Sequence, residues 1–170
     1  MADKLAAYNA KRDFRKTREP KGAPGQSDPG SLWFSVQKHD ASSLHYDLRL
    51  EWDGVLLSWA VPKGPSPRTG DKRLAQRTED HPLDYGDFEG TIPKGEYGGG
   101  TVMLWDRGTW SPRGDVETML DKGNLKMDIA GERMRGGWAL VRFRKGGDGA
   151  WLLVKEKDDY AQDDGEALTG

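Results

Sequence analysis

The sequence predicts a mainly β protein, a small antiparallel β-barrel with one or two short helices. Short segments with strand patterning follow one another at close intervals, separated by turn signals, and few segments show helical periodicity. The chain is polar, with 35% hydrophobic and 32% charged residues. A closed barrel leaves no sheet edge exposed, which suits such a chain. Its 170 residues, seven of them tryptophan, suffice for one domain with a core.

The N-terminal segment differs from the rest of the chain. Residues 5–15 predict one or two helical turns, and a Gly/Pro-rich stretch follows. Residues 1–25 hold seven lysines and arginines against three acids, so a basic arm here can follow a phosphate backbone. The predicted organisation is a partly flexible basic arm over 1–30, a β-barrel domain over 31–157 and an acidic tail or linker over 158–170.

The strands are predicted from apolar runs and from alternation with a period of two. Asp53-Gly54 is the dipeptide that best suits a two-residue type I′ turn between the second and third strands. Asp115 and Gly123 are typical of the start and end of a helix over 115–122. Residues 80–100 form a long Gly/Pro-rich loop of the kind that carries function. The predicted strands are residues 32–37, 44–52, 55–61, 73–79, 101–105, 125–129, 138–144 and 151–155.

The three histidines, His39, His45 and His81, fall within 43 residues of one another. Side chains alternate between the two faces of a strand, so the strand over 44–52 places His45, Asp47 and Arg49 on one face. Apolar side chains occupy the other face. An imidazole, a carboxylate and a guanidinium in a row indicate a site where a metal ion meets an anion.

His45 and Asp47 are the first two predicted metal ligands. His39, from the adjacent strand or turn, completes a set of two histidines and one carboxylate. Such a set leaves coordination positions open for water or substrate. The chain has no cysteine, so the ligands must be nitrogen and oxygen atoms, which suit Mn²⁺, Fe²⁺ or Zn²⁺.

Arg49 is the predicted anion contact, because a guanidinium binds phosphate or carboxylate bidentately. His81 and Tyr85 lie four residues apart in the long loop and can add two more donors. His81 is also a candidate general acid. Lys63, at a strand exit, is a further candidate cation. A metal beside such groups favours phosphoryl transfer or phosphate-ester hydrolysis.

Two other function classes remain open from these residues. In an iron/2-oxoglutarate oxygenase His81 would be the third ligand and Arg49 would bind the 2-oxoglutarate carboxylate. In a non-catalytic nucleic-acid-binding barrel, Trp33 or Trp105 would be a stacking platform. No window approaches the roughly 20 apolar residues of a membrane helix, and no apolar signal-peptide core begins the chain. We therefore expect a cytoplasmic protein with no membrane partner.

Six long motifs stand out in the chain: residues 37–40, 44–51, 58–65, 79–85, 88–93 and 105–110. They closely resemble the 3′-phosphoesterase domain of bacterial and archaeal DNA ligase D, and the likeness runs from about residue 11 to residue 156. The resemblance implies a Mn²⁺-dependent enzyme that heals 3′ ends during nonhomologous end joining. Such domains are small β-barrels with a crescent-shaped active-site groove. They remove a 3′-terminal ribonucleoside and then the 3′-phosphate, leaving a 3′-OH.

The resemblance also implies roles for individual residues. It assigns metal ligation to His39, His45 and Asp47, and phosphate contact to Arg49, His81 and Tyr85. It adds Gln37, Lys63, Arg73 and Glu79 as further active-site groups, and Arg12, Asp13 and Glu19 as residues of the ribonucleoside-removing step.

The partners implied by the resemblance are DNA or RNA/DNA primer-template 3′ ends, ligase and polymerase domains, and Ku. The implied location is the nucleoid of a prokaryotic cell. The chain is then either a stand-alone phosphoesterase or a part of a longer polypeptide.

Overall fold

The computed structural model describes residues 3–22, 25–28 and 30–163. Within them it contains nine strands, two α-helices and two short 3₁₀ helices. The helices are α1 (Ala6–Ala10), α2 (Val116–Lys122) and the 3₁₀ turns Leu83–Tyr85 and Arg144–Gly146. The strands are β1 (Trp33–Asp40), β2 (Leu44–Trp52), β3 (Val55–Val61), β4 (Arg73–Arg77), β5 (Gly90–Ile92), β6 (Gly100–Pro112), β7 (Asn124–Gly131), β8 (Arg135–Arg142) and β9 (Ala150–Lys155).

The sheet closes into an antiparallel barrel, as the sequence predicts. Its strands follow the order β1-β2-β3-β4-β9-β8-β7-β6, and pairing of β6 with β1 completes the circle. The short β5 adds to one end of β6. Closure means that β1 and β6, which would otherwise be edge strands, have partners on both sides.

The barrel interior is filled by alternate side chains of each strand. On β2 these are Tyr46, Leu48 and Leu50, and three fully buried indoles occupy much of the remaining volume. Large aromatic side chains bury enough surface to offset the polar composition. Because the apolar face of β2 points inward, its other side chains point to the outer surface of the barrel. The three indoles belong to Trp59, Trp110 and Trp138.

A second layer covers this outer surface. Tyr8 from α1 and Tyr85 from the long loop pack with Leu56 of β3 in a small apolar cluster. Tyr8 is fully buried, and its hydroxyl donates a hydrogen bond to the Pro20 carbonyl. The arm therefore lies against the barrel in its described part, and β2 is buried on both faces. The polar side chains of β2 are enclosed between sheet and arm.

Several element boundaries differ from the prediction. The first strand continues to Asp40, β4 stops at Arg77, and α1 is limited to Ala6–Ala10. The strand predicted over 101–105 is 13 residues long, because successive parts of it pair with β5, β1 and β7. Pairing partners of this kind are distant in sequence and leave no local pattern.

The turn and cap predictions are confirmed. Asp53 and Gly54 both have positive φ, 51° and 82°, as a type I′ turn requires. The Asp115 side chain accepts a hydrogen bond from the Thr118 amide at 3.0 Å, and Gly123 ends α2 with φ of 77°.

The predicted acidic tail is described only as far as residue 163. In that part, the Gln162 amide donates to the Pro67 carbonyl, and Asp163 accepts from both the amide and the hydroxyl of Thr69. Residues 164–170 and five positions of the predicted arm lie outside the described residues. No helix among the described residues has the length and apolar character needed to cross a membrane.

Candidate active site

The pairing of β1 with β2 sets the positions of the polar side chains. His39 lies opposite His45, and Gln37 lies opposite Asp47. The extension of β1 beyond residue 37 brings His39 into this register, with its ring centroid 4.7 Å from that of His45. Directly paired positions share a face, so these four side chains form two adjacent rows on the outer surface of the barrel.

His39, His45 and Asp47 form a group that could hold a metal ion. One ligand atom from each lies within 4.8 Å of the others. His39 Nε2 donates to the Gly98 carbonyl at 2.7 Å, and His45 Nδ1 donates to the Ser43 carbonyl at 3.2 Å. A carbonyl only accepts, so His39 Nδ1 and His45 Nε2 carry the free lone pairs. These atoms lie 3.5 and 3.3 Å from the Asp47 carboxylate.

The carboxylate of Asp47 is ionised at neutral pH. Burial acts to raise its pKa, but the positive charge of Arg49, whose Nη2 lies 3.5 Å from the carboxylate, holds the pKa well below its usual range. Burial acts to lower the pKa of His45, yet the negative charge of Asp47 raises it above its ordinary value. The donor set is thus two imidazoles oriented by carbonyls and one charged carboxylate, which suits a divalent transition metal.

Arg49 lies beside the metal set and is held by Gln37. The Nε of Arg49 donates to Gln37 Oε1 at 2.6 Å. Gln37 Nε2 donates in turn to the carbonyls of Tyr85 and Phe88, at 2.7 and 3.0 Å. The Arg49 guanidinium lies 4.8 Å from the centre of the Tyr85 ring. Since Gln37 is fully buried, it joins Arg49 to the long loop and positions it.

His81 reaches the site through a bridge between the long loop and β3. The backbone of His81 exchanges two hydrogen bonds with Leu56, at 2.8 and 2.9 Å. His81 Nδ1 donates to the Glu79 carbonyl at 2.8 Å, and the Ser58 hydroxyl lies 3.3 Å away. Its Nε2 therefore carries the lone pair and faces Arg12 at 3.4 Å.

Burial and the charges of Arg49 and Arg12 lower the pKa of His81 well below its ordinary value. The imidazole is consequently neutral in the free protein. This differs from the general acid predicted from the sequence: His81 is placed to accept a proton or hydrogen bond. The sequence could not show that two guanidiniums share its surroundings.

The arm contributes a buried ion-pair cluster. Arg12 Nε lies 2.8 Å from Glu19, and Arg12 Nη1 lies 3.3 Å from Glu79. The guanidinium also packs 3.8 Å from the centre of the Tyr8 ring. Glu19 accepts a further hydrogen bond from the Thr17 hydroxyl at 3.0 Å. Arg12 is therefore fixed beside His81 by an arm that is itself anchored in the apolar cluster.

A cavity of about 250 Å³ joins these groups. Tyr85 keeps its proton there, because burial raises its pKa, with a smaller contribution from the negative charge of Glu19. Gln37 lies behind Arg49 and does not line the cavity. The predicted residues that do line it are Arg12, Glu19, His39, His45, Asp47, Arg49, Glu79, His81 and Tyr85.

Three predicted residues lie elsewhere. Lys63 and Arg73 line a separate cavity of about 580 Å³ at the start of β4, together with Arg68, Asp71 and Lys72. Arg73 lies on the same side of β4 as Ala75, whose side chain packs in the barrel core. The Arg73 side chain therefore cannot face the metal set. Asp13 binds Arg15 and stabilises the turn of the arm that follows α1.

The structure adds two residues to those predicted. Ser58 is fully buried beside His81, and the alternation of β3 could have identified it as facing Arg49, its partner in the register. Tyr97 lies at the mouth of the cavity with 46% of its surface exposed. Its position between glycines in the long loop gave no comparable signal.

The geometry does not support the two alternative functions. Within the described chain, the ligand group contains His39 and excludes His81, whereas an iron/2-oxoglutarate site needed His81 as a ligand. Trp33 packs into the apolar cluster, and Trp105 packs against the barrel core and the Tyr46 ring. Each indole is therefore partly buried by these contacts.

The comparisons with known proteins agree with this geometry. Residues 37–142 match the family model of the DNA ligase D 3′-phosphoesterase domain. The chain is 54% identical over 160 residues to the multifunctional non-homologous end joining protein LigD of Pseudomonas aeruginosa, covering 93% of the chain. It is 44% identical over 165 residues to the LigD DNA repair protein of Mycobacterium tuberculosis, covering 95%.

These matches cover 19% and 21% of the respective relatives, so the chain spans about a fifth of their length. The family match extends over more than half of the chain and includes both strands of the metal set, the loop with His81 and the core of the barrel. The chain belongs to the DNA ligase D 3′-phosphoesterase domain family.

Proposed function

We propose that this chain is a metal-dependent phosphoesterase that heals DNA 3′ ends in nonhomologous end joining. It removes a 3′-terminal ribonucleoside and then the remaining 3′-phosphate, leaving a 3′-OH. The observation that carries this proposal is the convergence of His39, His45 and Asp47 beside Arg49 in one cavity. Membership of the 3′-phosphoesterase family supports the same reaction class.

The donor set fits Mn²⁺, the ion that we propose for this site. Two oriented imidazole nitrogens and an ionised carboxylate would hold it and leave further positions open. A bound ion would polarise a phosphoryl oxygen or lower the pKa of a water molecule.

The side chains around the metal set have complementary tasks. Arg49 is held by Gln37 at Nε and lies 3.5 Å from Asp47 at Nη2, and the N–H groups of its guanidinium that make neither contact can bind phosphoryl oxygens. Tyr85 retains its proton and can donate from its hydroxyl. Neutral His81 can take a proton from a water molecule through Nε2. A bound phosphate places negative charge beside His81, which raises the pKa of the imidazole and stabilises its protonated form.

The arm supplies the groups for ribonucleoside removal. Arg12 and Glu19 line the cavity, and we propose that they contact the terminal nucleoside. Asp13 lies outside the cavity and acts by holding the turn between them. Lys63 and Arg73 lie on a neighbouring basic surface and are proposed to bind DNA phosphates next to the reacting end.

The relatives are multifunctional end-joining proteins. We therefore propose DNA or RNA/DNA primer-template 3′ ends as substrates, with ligase and polymerase domains and Ku as partners. The proposed location is the bacterial or archaeal nucleoid.

The test is phosphate release from a 3′-phosphorylated primer-template in the presence of Mn²⁺. The wild-type chain should release phosphate, Asp47→Asn should release none, and Asp159→Asn should match the wild type, because Asp159 is an exposed carboxylate outside the cavity. A parallel reaction with Fe²⁺ and 2-oxoglutarate should yield no succinate. The proposal fails if the wild type binds the DNA but leaves the phosphate ester intact, or if Asp47→Asn keeps its activity.

A further inference from the structure

A second basic surface lies beside the catalytic cavity, at the end of β4. We call it the arginine groove; its volume is about 520 Å³ and it is lined by Arg77, Arg142, Arg144, Asp148, Gly149 and Trp151. It shares no lining residue with the catalytic cavity or with the groove of Lys63 and Arg73. None of its residues takes part in the reaction proposed above.

The arginine groove is tied directly to the strand that leads into the catalytic cavity. The Arg77 amide donates to the Gly149 carbonyl at 2.8 Å, and the side chain of Gln76 donates to the Asp148 carbonyl at 2.8 Å. The backbone amide of Thr78, the next residue, donates at 3.0 Å to the carbonyl of Ser58, whose side chain lies beside His81. The tip of the β8–β9 hairpin is thereby held next to residues that line the cavity.

The arginine groove and the catalytic cavity are adjacent at the end of β4. Arg77, the last residue of β4, lies on the same side of the strand as Ala75 and lines the groove, whereas Thr78, the next residue, lines the catalytic cavity. One bound nucleic acid can therefore contact both surfaces.

The cations of the groove are directed by aromatic packing. The Arg77 guanidinium lies 5.5 Å from the centre of the Trp59 ring, and that of Arg142 lies 5.2 Å from the centre of the Trp151 ring. Arg142 also donates to the Leu120 carbonyl at 2.6 Å, which holds it at the end of α2. Two guanidiniums are thus presented at low entropic cost.

Arg144 is the cation most available to a ligand. It is exposed, and within the described part of the chain no hydrogen bond or ion pair engages its side chain. Lys145 lies next to it on the same 3₁₀ turn. The opposing acids are Asp148 in the groove and Asp80, which lies 4.0 Å from Arg77. Positive charge remains in excess, although the whole chain carries a net charge of −2.

We propose that the arginine groove binds the phosphate backbone of the duplex behind the 3′ end, with Arg144 as its principal contact. This inference rests on the proposed function, since it places the duplex relative to the reacting end. Contacts to phosphates do not distinguish one DNA sequence from another. They set the affinity for the DNA and its orientation on the protein. The chain would then hold the reacting nucleotide in one cavity and the helical stem in another.

The test compares Arg144→Gln with Lys126→Gln, a neutralised exposed lysine on β7, three strands from β4 around the barrel. Affinity for a 3′-phosphorylated primer-template is measured by fluorescence anisotropy over a range of KCl concentrations. Arg144→Gln should weaken binding about fivefold and lower the slope of log affinity against log salt by about one, and Arg144→Lys should restore both. Lys126→Gln should change neither.

Hydrolysis of a 3′-phosphorylated dinucleotide, too short to fill the groove, separates the two proposals. Arg144→Gln should hydrolyse it at the wild-type rate while its KM for the duplex rises. The groove assignment would be overturned if Arg144→Gln and Lys126→Gln bound and hydrolysed the duplex equally well. It would also be overturned if Arg144→Gln lost as much activity on the dinucleotide as on the duplex. If the wild type hydrolyses neither substrate, the proposed function fails, whereas the anisotropy measurements still decide the groove.

Discussion

Gln37 Oε1 accepts a hydrogen bond of 2.6 Å from Arg49 Nε, while the amide nitrogen of the same side chain donates to two carbonyls of the long loop. Gln37 is therefore the connection between the proposed phosphate contact and the loop that bears Tyr85. Its two ends are chemically distinct, one an acceptor and the other a donor, and each faces the partner it requires.

Substitution Gln37→Glu should break the connection to the long loop while keeping the contact with Arg49. The carboxylate can still accept from Arg49, but it cannot donate to the Tyr85 and Phe88 carbonyls, and unpaired buried acceptors cost about 1–3 kcal/mol. We expect kcat for 3′-phosphate release to fall about 10- to 100-fold, as for other residues that orient a binding group. Steady-state kinetics would measure it.

The control for this prediction is a double-mutant cycle with Arg49→Ala. If Gln37 acts through Arg49, Gln37→Glu should have little further effect on kcat once Arg49 is removed. Additive effects of the two substitutions would show that Gln37 has a separate role.

The metal set should be separable from the phosphate contact. His39→Ala and His45→Ala each remove one of three ligands, so both should lose stoichiometric Mn²⁺ binding while the barrel stays folded. Arg49→Ala should retain the metal and lose affinity for the phosphate ester. Equilibrium dialysis with Mn²⁺, alongside circular dichroism, measures both properties. Loss of metal stoichiometry in Arg49→Ala would contradict the roles assigned.

Substitutions in the arm should distinguish the two reaction steps. Glu19→Gln weakens the buried ion pair with Arg12, and we expect removal of the ribonucleoside to slow at least about tenfold, or roughly 1.4 kcal/mol. Release of the 3′-phosphate should change much less, because Arg49 and the metal set are intact. Glu19→Ala should likewise slow removal of the ribonucleoside more than release of the 3′-phosphate.

Arg18→Gln is the matched control for the arm, since Arg18 is an exposed arm residue that does not line the cavity. Both steps are followed on one substrate with a single 3′-terminal ribonucleotide. Equal slowing of the two steps in Glu19→Gln would remove the special role of the arm.

Asp158 should stabilise the barrel without affecting the reaction. Its carboxylate accepts from Lys155 Nζ at 2.7 Å and from the Gly137 amide at 2.8 Å, and the Lys155 side chain is fully buried. Asp158→Asn leaves this ammonium without its counterion, so the free energy of unfolding at pH 7 should fall by about 1–3 kcal/mol. Asp159→Asn is the control.

The effect of Asp158 should depend on pH. Burial acts to raise its pKa, but the hydrogen bonds from Lys155 and the backbone lower it below the ordinary value. A depressed pKa gives a stabilisation that is complete above the unfolded pKa of about 3.9 and is lost as the pH falls through the folded pKa. In urea unfolding, the difference between wild type and Asp158→Asn should therefore narrow below about pH 4. A constant difference down to pH 2 would contradict this assignment.

Features that depend on neighbours along the chain were predictable from local patterns. Alternation along β2 separated His45, Asp47 and Arg49 from the apolar side chains, and Asp53-Gly54 and Asp115 specified a turn and a helix start. These are local properties of backbone conformation, so a short window contains the necessary information.

The groups that surround those side chains depend on how distant segments pack together. The tertiary structure placed Arg12 and Arg49 near His81, which makes the imidazole neutral, and it turned Arg73 away from the metal set. Burial and charge depend on contacts between segments far apart in sequence, here the arm, β2 and the long loop. Each segment has its own local sequence pattern, but the electric field at a titratable group is the sum of the contributions from all of these segments.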